Sequence, residues 1–129
     1  PPRPDMRTAM AHARDHMRGN MEMLKPGVRV RDLIHGGHEL APEYRKQKYS
    51  CKMHGVGLCD EWPFVPYPDA GLDDAFDVTI EAGMVLCVEA LVSPEDGDFS
   101  VKLEDQVLVT ETGYENLTRY GFDEQLTGG

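Results

Sequence analysis

From Pro4 to about Leu24 the apolar residues Met6, Ala9, Met10, Ala13, Met17 and Met21 recur at steps of three and four. That is the period of one face of an amphipathic helix. Lys25-Pro26-Gly27 supplies its stop: a basic residue for the last turn, then two residues that do not continue a helix. A second, shorter helix is predicted from Val30 past Leu33 to the glycine pair at 36 and 37. The pattern then dissolves, and the mixed stretch "HELAPEYRKQKYSCKM" predicts no definite element. "HGVGL" (54–58) reads as a strand end or turn, and "WPFVPYPDAG" (62–71), with three prolines, as an irregular loop. Order returns in Met84–Val92 and Val101–Val109, both rich in Val and Leu and separated by the turn-forming "SPEDGDFS". The tail from Thr112 holds turn formers and one short apolar pair, and no segment repeats another. Helices first and strands later predict an α+β fold rather than a doubly wound sheet.

A chain of 129 residues is one domain, large enough to bury a core. Its net charge of −10 changes the picture more than its ordinary hydropathy does. Surplus acid argues against nucleic acid, whose phosphates are bound through Lys and Arg, and against an anionic membrane surface. No apolar run approaches the roughly 18 residues of a membrane span. Cys51, Cys59 and Cys87 are odd in number and sparse, which fits a reducing, cytoplasmic compartment better than a disulfide framework. The opening "PPRPDMRTAM" lacks an initiator Met and suggests a fragment of a longer chain.

Candidate chemistry begins with the two strands. A simple hairpin centred between Asp96 and Gly97 places Glu89 directly opposite Glu104, on one face of the sheet. Two such carboxylates flanked by Val88 and Leu103 require a proton or a cation between them, unless a bulge turns them to different faces. With His54 they make a mixed N/O ligand set suited to Mn, Fe, Co or Zn. Alone, His54 reads more simply as a structural histidine. Other groupings are weaker. Cys51, His54 and Cys59 lack a fourth ligand at knuckle spacing. His12 and His16 have zincin spacing without the glutamate, which predicts a solvated helix face, and His35 and His38 read as surface. The glycines of "HGVG" open no helix behind a lysine, so they make no phosphate cradle, and "EDGDF" reads as a hairpin tip rather than a calcium loop.

"HGVGL" (54–58), "EAGMVLCVEALV" (81–92) and "VKLEDQVLVTETG" (101–113), preceded by "LKPGVRVRDL" (24–33), together resemble the C-terminal half of the pita-bread metalloenzymes. That superfamily includes methionine aminopeptidase, prolidase, aminopeptidase P and creatinase. The resemblance covers nearly the whole chain. It implies helices packed on a curved antiparallel sheet, His54, Glu89 and Glu104 as ligands of a divalent, binuclear metal centre, and two further aspartate ligands on strands upstream. Relatives are commonly dimers, so a full-length homodimer is implied as well.

The departures point to a branch. Seven positions after the ligand histidine, where the peptidases carry a second histidine, stands Glu61. The usual "EP" is Glu89-Ala90, and "RIED" is "KLED". "HGVGLCDEWP" (54–63) is most similar to the pita-bread dimethylsulfoniopropionate lyases. That likeness implies elimination of dimethyl sulfide and acrylate from a small zwitterionic substrate, with Asp60 as catalytic base and Tyr49 lining the pocket. Trp62, by residue type alone, could face a sulfonium as a cation–π partner, or anchor its loop. An Xaa-Pro metallopeptidase, or another hydrolase of the fold, is the alternative, and a metal-free binding domain is disfavoured by the retained ligands.

Overall fold

The computed structural model describes residues 1–72 and 77–128. Its first helix, α1, runs from Pro4 to Met21. Pro4 lies at the helix start, where a missing N–H costs nothing, and Asp5 adds negative charge to the first turn. The buried stripe holds Ala9, Met10, Ala13, Met17 and Met21, as the periodicity predicts. Helix α1 ends three residues before Leu24, and Gly27 makes the following turn at φ 92°.

The short helix α2 (Val30–His35) buries Val30, Leu33 and Ile34. Six residues are too few to hold a helix in isolation. Its C-terminal carbonyls are gathered by one buried side chain: Lys52 Nζ donates to Leu33 O (2.9 Å), Ile34 O (2.8 Å) and Gly36 O (3.0 Å). Burial lowers this ammonium to about 8, and its three hydrogen bonds satisfy all three donors.

Among the described residues five strands follow: β1 (Cys51–Val56), β2 (Asp60–Pro66), β3 (Val85–Val92), β4 (Val101–Thr110) and β5 (Gly113–Asn116). They form one antiparallel sheet in the order β2-β1-β3-β4-β5. Helix α1 packs across β3 and β4, and a last helical turn, α3 (Glu124–Thr127), is capped by Asp123. The expected α+β class and the main hairpin are thus the observed ones. Two expectations were wrong. Residues 62–66 belong to strand β2 rather than to an irregular loop. Prolines are tolerated there because β2 lies at the sheet edge, where a missing N–H can face outward. The patternless stretch before it also yields a 3-10 turn at Pro42–Tyr44 and the start of β1.

The second correction concerns the histidines. His16 is wholly buried, not solvated, and His12 and His38 are half-buried beside it. Only His35 is exposed, as expected. The hydrogen bonds fix the protons of this cluster. Asn20 Oδ1 accepts from the His38 backbone N–H (3.2 Å), so Asn20 Nδ2 donates to His16 Nε2 (3.3 Å). His16 then carries its proton on Nδ1 and donates to His38 Nδ1 (3.3 Å). The Tyr67 hydroxyl lies 3.0 Å from the same Nε2, and the Ala41 N–H donates to His12 Nε2 (3.1 Å).

Burial, reinforced by His38, Lys52 and His12, lowers His16 to about 3, and burial lowers His12 as well. His16 is therefore neutral in the fold and takes up a proton on unfolding. Its contribution is intact above the unfolded value of about 6.5 and is lost progressively as pH falls from there toward the folded value. Urea unfolding followed from neutral pH into acid should show stability falling more steeply in the unmodified protein than in His16→Gln. Equal slopes would contradict a neutral buried imidazole.

Candidate metal centre

The two-residue period of β3 divides its side chains between two faces. Leu86, Val88, Ala90 and Val92 are fully buried in the core with α1, and Cys87 and Glu89 take the opposite face. Strand β4 pairs with β3 without a bulge, so that Glu89 stands opposite Glu104, the register of the simple hairpin. On the other side His54 of β1 pairs with Cys87. Three adjacent strands thereby deliver His54, Glu89 and Glu104 to the face of the sheet turned away from α1.

His54 Nε2 lies 3.3 Å from Glu104 Oε1, 3.5 Å from Asp60 Oδ1 and 3.6 Å from Glu89 Oε1. The other ring nitrogen, Nδ1, donates to Gly55 O at 2.8 Å. In the neutral ring Nε2 therefore presents a lone pair, and three carboxylates surround an acceptor with further acceptors. His54 is 6% and Glu89 1% exposed, so water does little to screen them. Among the described residues one protein cation answers: the Lys102 ammonium touches Glu89 Oε2 and stands 3.8 Å from Glu104 Oε2. A single positive charge against Asp60, Glu89 and Glu104 leaves negative charge uncompensated. A lone-pair imidazole nitrogen and oxygen donors at this spacing fit a divalent ion of the Mn, Fe, Co or Zn group.

Two thiols border the cluster. Cys51 Sγ donates to Glu89 Oε1 at 3.2 Å, and burial raises this thiol to about 11, so it remains a protonated donor. The ligand atoms of Cys87, His54 and Glu104 lie within 4.8 Å of one another, and burial pushes Cys87 to about 11 also. Neither Cys87 nor Lys102 was singled out from the sequence. Their signal was the strand period, since each stands two residues before a carboxylate of the cluster.

Asp60 arrives by a different route. Strand β2 folds back along β1 with a register shift between His54 and Gly55, opposite residues 62 and 63. A Cβ on Gly55 would lie 2.2 Å from the Trp62 carbonyl oxygen. The glycine is thus required by the close approach of β2 rather than by any phosphate. This return places Asp60, at the first position of β2, beside His54, with its side chain 58% exposed. Tyr49 joins from the segment before β1: its ring centroid is 4.0 Å from Lys102 Nζ, and the charge of Asp60 is the main cause raising its phenol above the usual range. Trp62 is 56% exposed and is absent from the contacts that gather the cluster. Glu61 is exposed as well.

Metallopeptidase family M24 matches residues 1–111. The dimethylsulfoniopropionate lyase DddP of Roseobacter denitrificans is 61% identical over 127 residues, 98% of this chain and 28% of that protein. The protein of the same name from Roseovarius nubinhibens is 58% identical over the same shares. The solved prolidase from Pyrococcus furiosus has a TM-score of 0.72 and 25% identity, covering 95% of this chain and 35% of its own. The chain therefore spans 28% of the length of the curated lyases it matches.

Gly55 offers a direct check on the geometry. Gly55→Ala should destabilise the protein by about 1–3 kcal/mol through overpacking against the Trp62 carbonyl, read from urea unfolding. A neutral substitution would mean that β2 does not approach β1 so closely.

Proposed function

We propose, from the premise that this chain belongs to metallopeptidase family M24 and has its pita-bread fold, that it forms the C-terminal part of a dimethylsulfoniopropionate lyase. The observation that carries the reading is the Asp60 carboxylate 3.5 Å from His54 Nε2, in a chain 61% identical to a lyase of that name. Where the peptidases would set a second histidine, this hairpin has Glu61, exposed to solvent.

His54 Nε2 and the carboxylates of Glu89 and Glu104 would hold the metal. Bound there, a divalent ion supplies positive charge for the substrate carboxylate and for the negative charge that develops when the neighbouring carbon loses a proton. The Asp60 carboxylate is reachable from solvent and next to the ligand histidine, which suits a general base. It takes a proton from the carbon beside the substrate carboxylate. The electron pair left behind becomes the carbon–carbon double bond, the carbon–sulfur bond breaks with its own electron pair going to sulfur, and dimethyl sulfide leaves while acrylate remains. Tyr49 keeps its phenol proton beside Asp60 and can donate a hydrogen bond there. The exposed ring of Trp62 offers a π face for the sulfonium. The reading brings with it a cytoplasmic, homodimeric full-length enzyme acting on a small zwitterion.

The test uses the full-length protein that carries this chain. Supplied with dimethylsulfoniopropionate it should release dimethyl sulfide, detected by gas chromatography, and a Gly-Pro dipeptide should yield no proline. Asp60→Asn should lower elimination by about 10²–10⁴-fold with metal content unchanged. Chelation should abolish it until a divalent metal is restored. Proline release without dimethyl sulfide would sink the proposal in favour of a peptidase.

A further inference from the structure

Among the described residues Lys102 is the one protein cation inside the carboxylate cluster, and its surroundings give it two partners of different kinds. On β4 it stands two residues before Glu104, and Glu104 faces Glu89, so Lys102 is the diagonal neighbour of Glu89 across the hairpin. Its ammonium touches Glu89 Oε2 and approaches Glu104 Oε2 at 3.8 Å. The same ammonium lies over the face of Tyr49, 4.0 Å from the ring centroid. Tyr49 in turn is near enough to Asp60 for that carboxylate to be the leading influence on its phenol.

We infer that Lys102 is a positioning residue for the reaction proposed above: anchored by the Glu89 and Glu104 carboxylates, its ammonium seats the Tyr49 ring against the carboxylate cluster. The geometry separates this role from simple charge balance. A cation needed only to neutralise Glu89 has no reason to sit over an aromatic face, whereas an ammonium shared between carboxylates and a ring fixes the ring relative to the strands. Tyr49 precedes β1 and has no place in the sheet ladder. Its orientation must therefore come from side-chain contacts, and the cation–π contact with Lys102 is one of them. Lysine suits this place better than arginine. A compact point charge can meet two carboxylates and a ring face together, while a planar guanidinium fork favours the carboxylates.

The test again uses the full-length, metal-loaded protein, labelled with fluorotyrosine, with the Tyr49 fluorine signal identified by its loss in Tyr49→Phe. Lys102→Met should move that signal, whereas Lys102→Arg should move it less. In the elimination assay Lys102→Met should lower kcat by about 10-fold or more and leave KM within about 3-fold. Added to Tyr49→Leu, it should cost less than about 3-fold further, because the ring it acts through is already gone.

An unmoved Tyr49 signal in Lys102→Met would overturn the inference, whatever happens to activity or metal content. Losses that simply multiply in the double variant would overturn it too. Should the unmodified protein release no dimethyl sulfide, the lyase reading fails by itself. The fluorine signal then decides whether Lys102 places Tyr49.

Discussion

Two carboxylates facing each other across a hairpin, one of them buried, set the terms for everything around them. Glu89 and Glu104 are held together by the uninterrupted register of β3 and β4, and that register is held by the apolar face they share with α1. Moving one strand by a single residue would relieve the repulsion, but it would also turn Leu86, Val88 and Ala90 out of the core. The core therefore stabilises an arrangement that its own polar face disfavours. The surrounding chemistry answers that imbalance: a lone-pair imidazole from β1, a protonated thiol at Cys51, and an ammonium from Lys102.

The parts of the fold with a clean period were legible in advance. Helix α1 announced itself through apolar residues at steps of three and four, and β3 and β4 through valine-rich runs around a turn. From those alone the Glu89–Glu104 pairing could be drawn, with a bulge as its alternative, and the structure has the unbulged register. Strand β2 was hidden because Pro63 and Pro66 read as breakers, and only its position at the sheet edge makes them acceptable. His16 was hidden for another reason. It occupies the buried stripe of α1 between Ala13 and Met17, one turn from Asn20, and polar residues there are invisible to a count of apolar positions. What marks them is their pairing at four-residue spacing on an otherwise apolar face.

The candidate site shows the same division. His54 and the paired glutamates could be reached by strand register together with family likeness, because ladder geometry is regular. Asp60 was reached by likeness alone. Its approach depends on a register shift and on a glycine that admits the neighbouring backbone, and neither has a periodic signature. Lys102 was met only as one of the departures from the family pattern and was given no role, although its two contacts depend on the shape of the cation.

The two prolines of β2 have a consequence for the molecule in company. An exposed sheet edge is a template on which another polypeptide can add a strand, and long apolar edges are where proteins aggregate. Pro63 and Pro66 remove two backbone donors from this border, and the acidic pair Asp60 and Glu61 begins it. A foreign strand meets an interrupted row of donors next to like charge. The exposed part of this border begins at the acidic Asp60 and Glu61, while Pro63 and Pro66 further along are buried, so the strand offers a foreign chain no long, flat, apolar run to pair with.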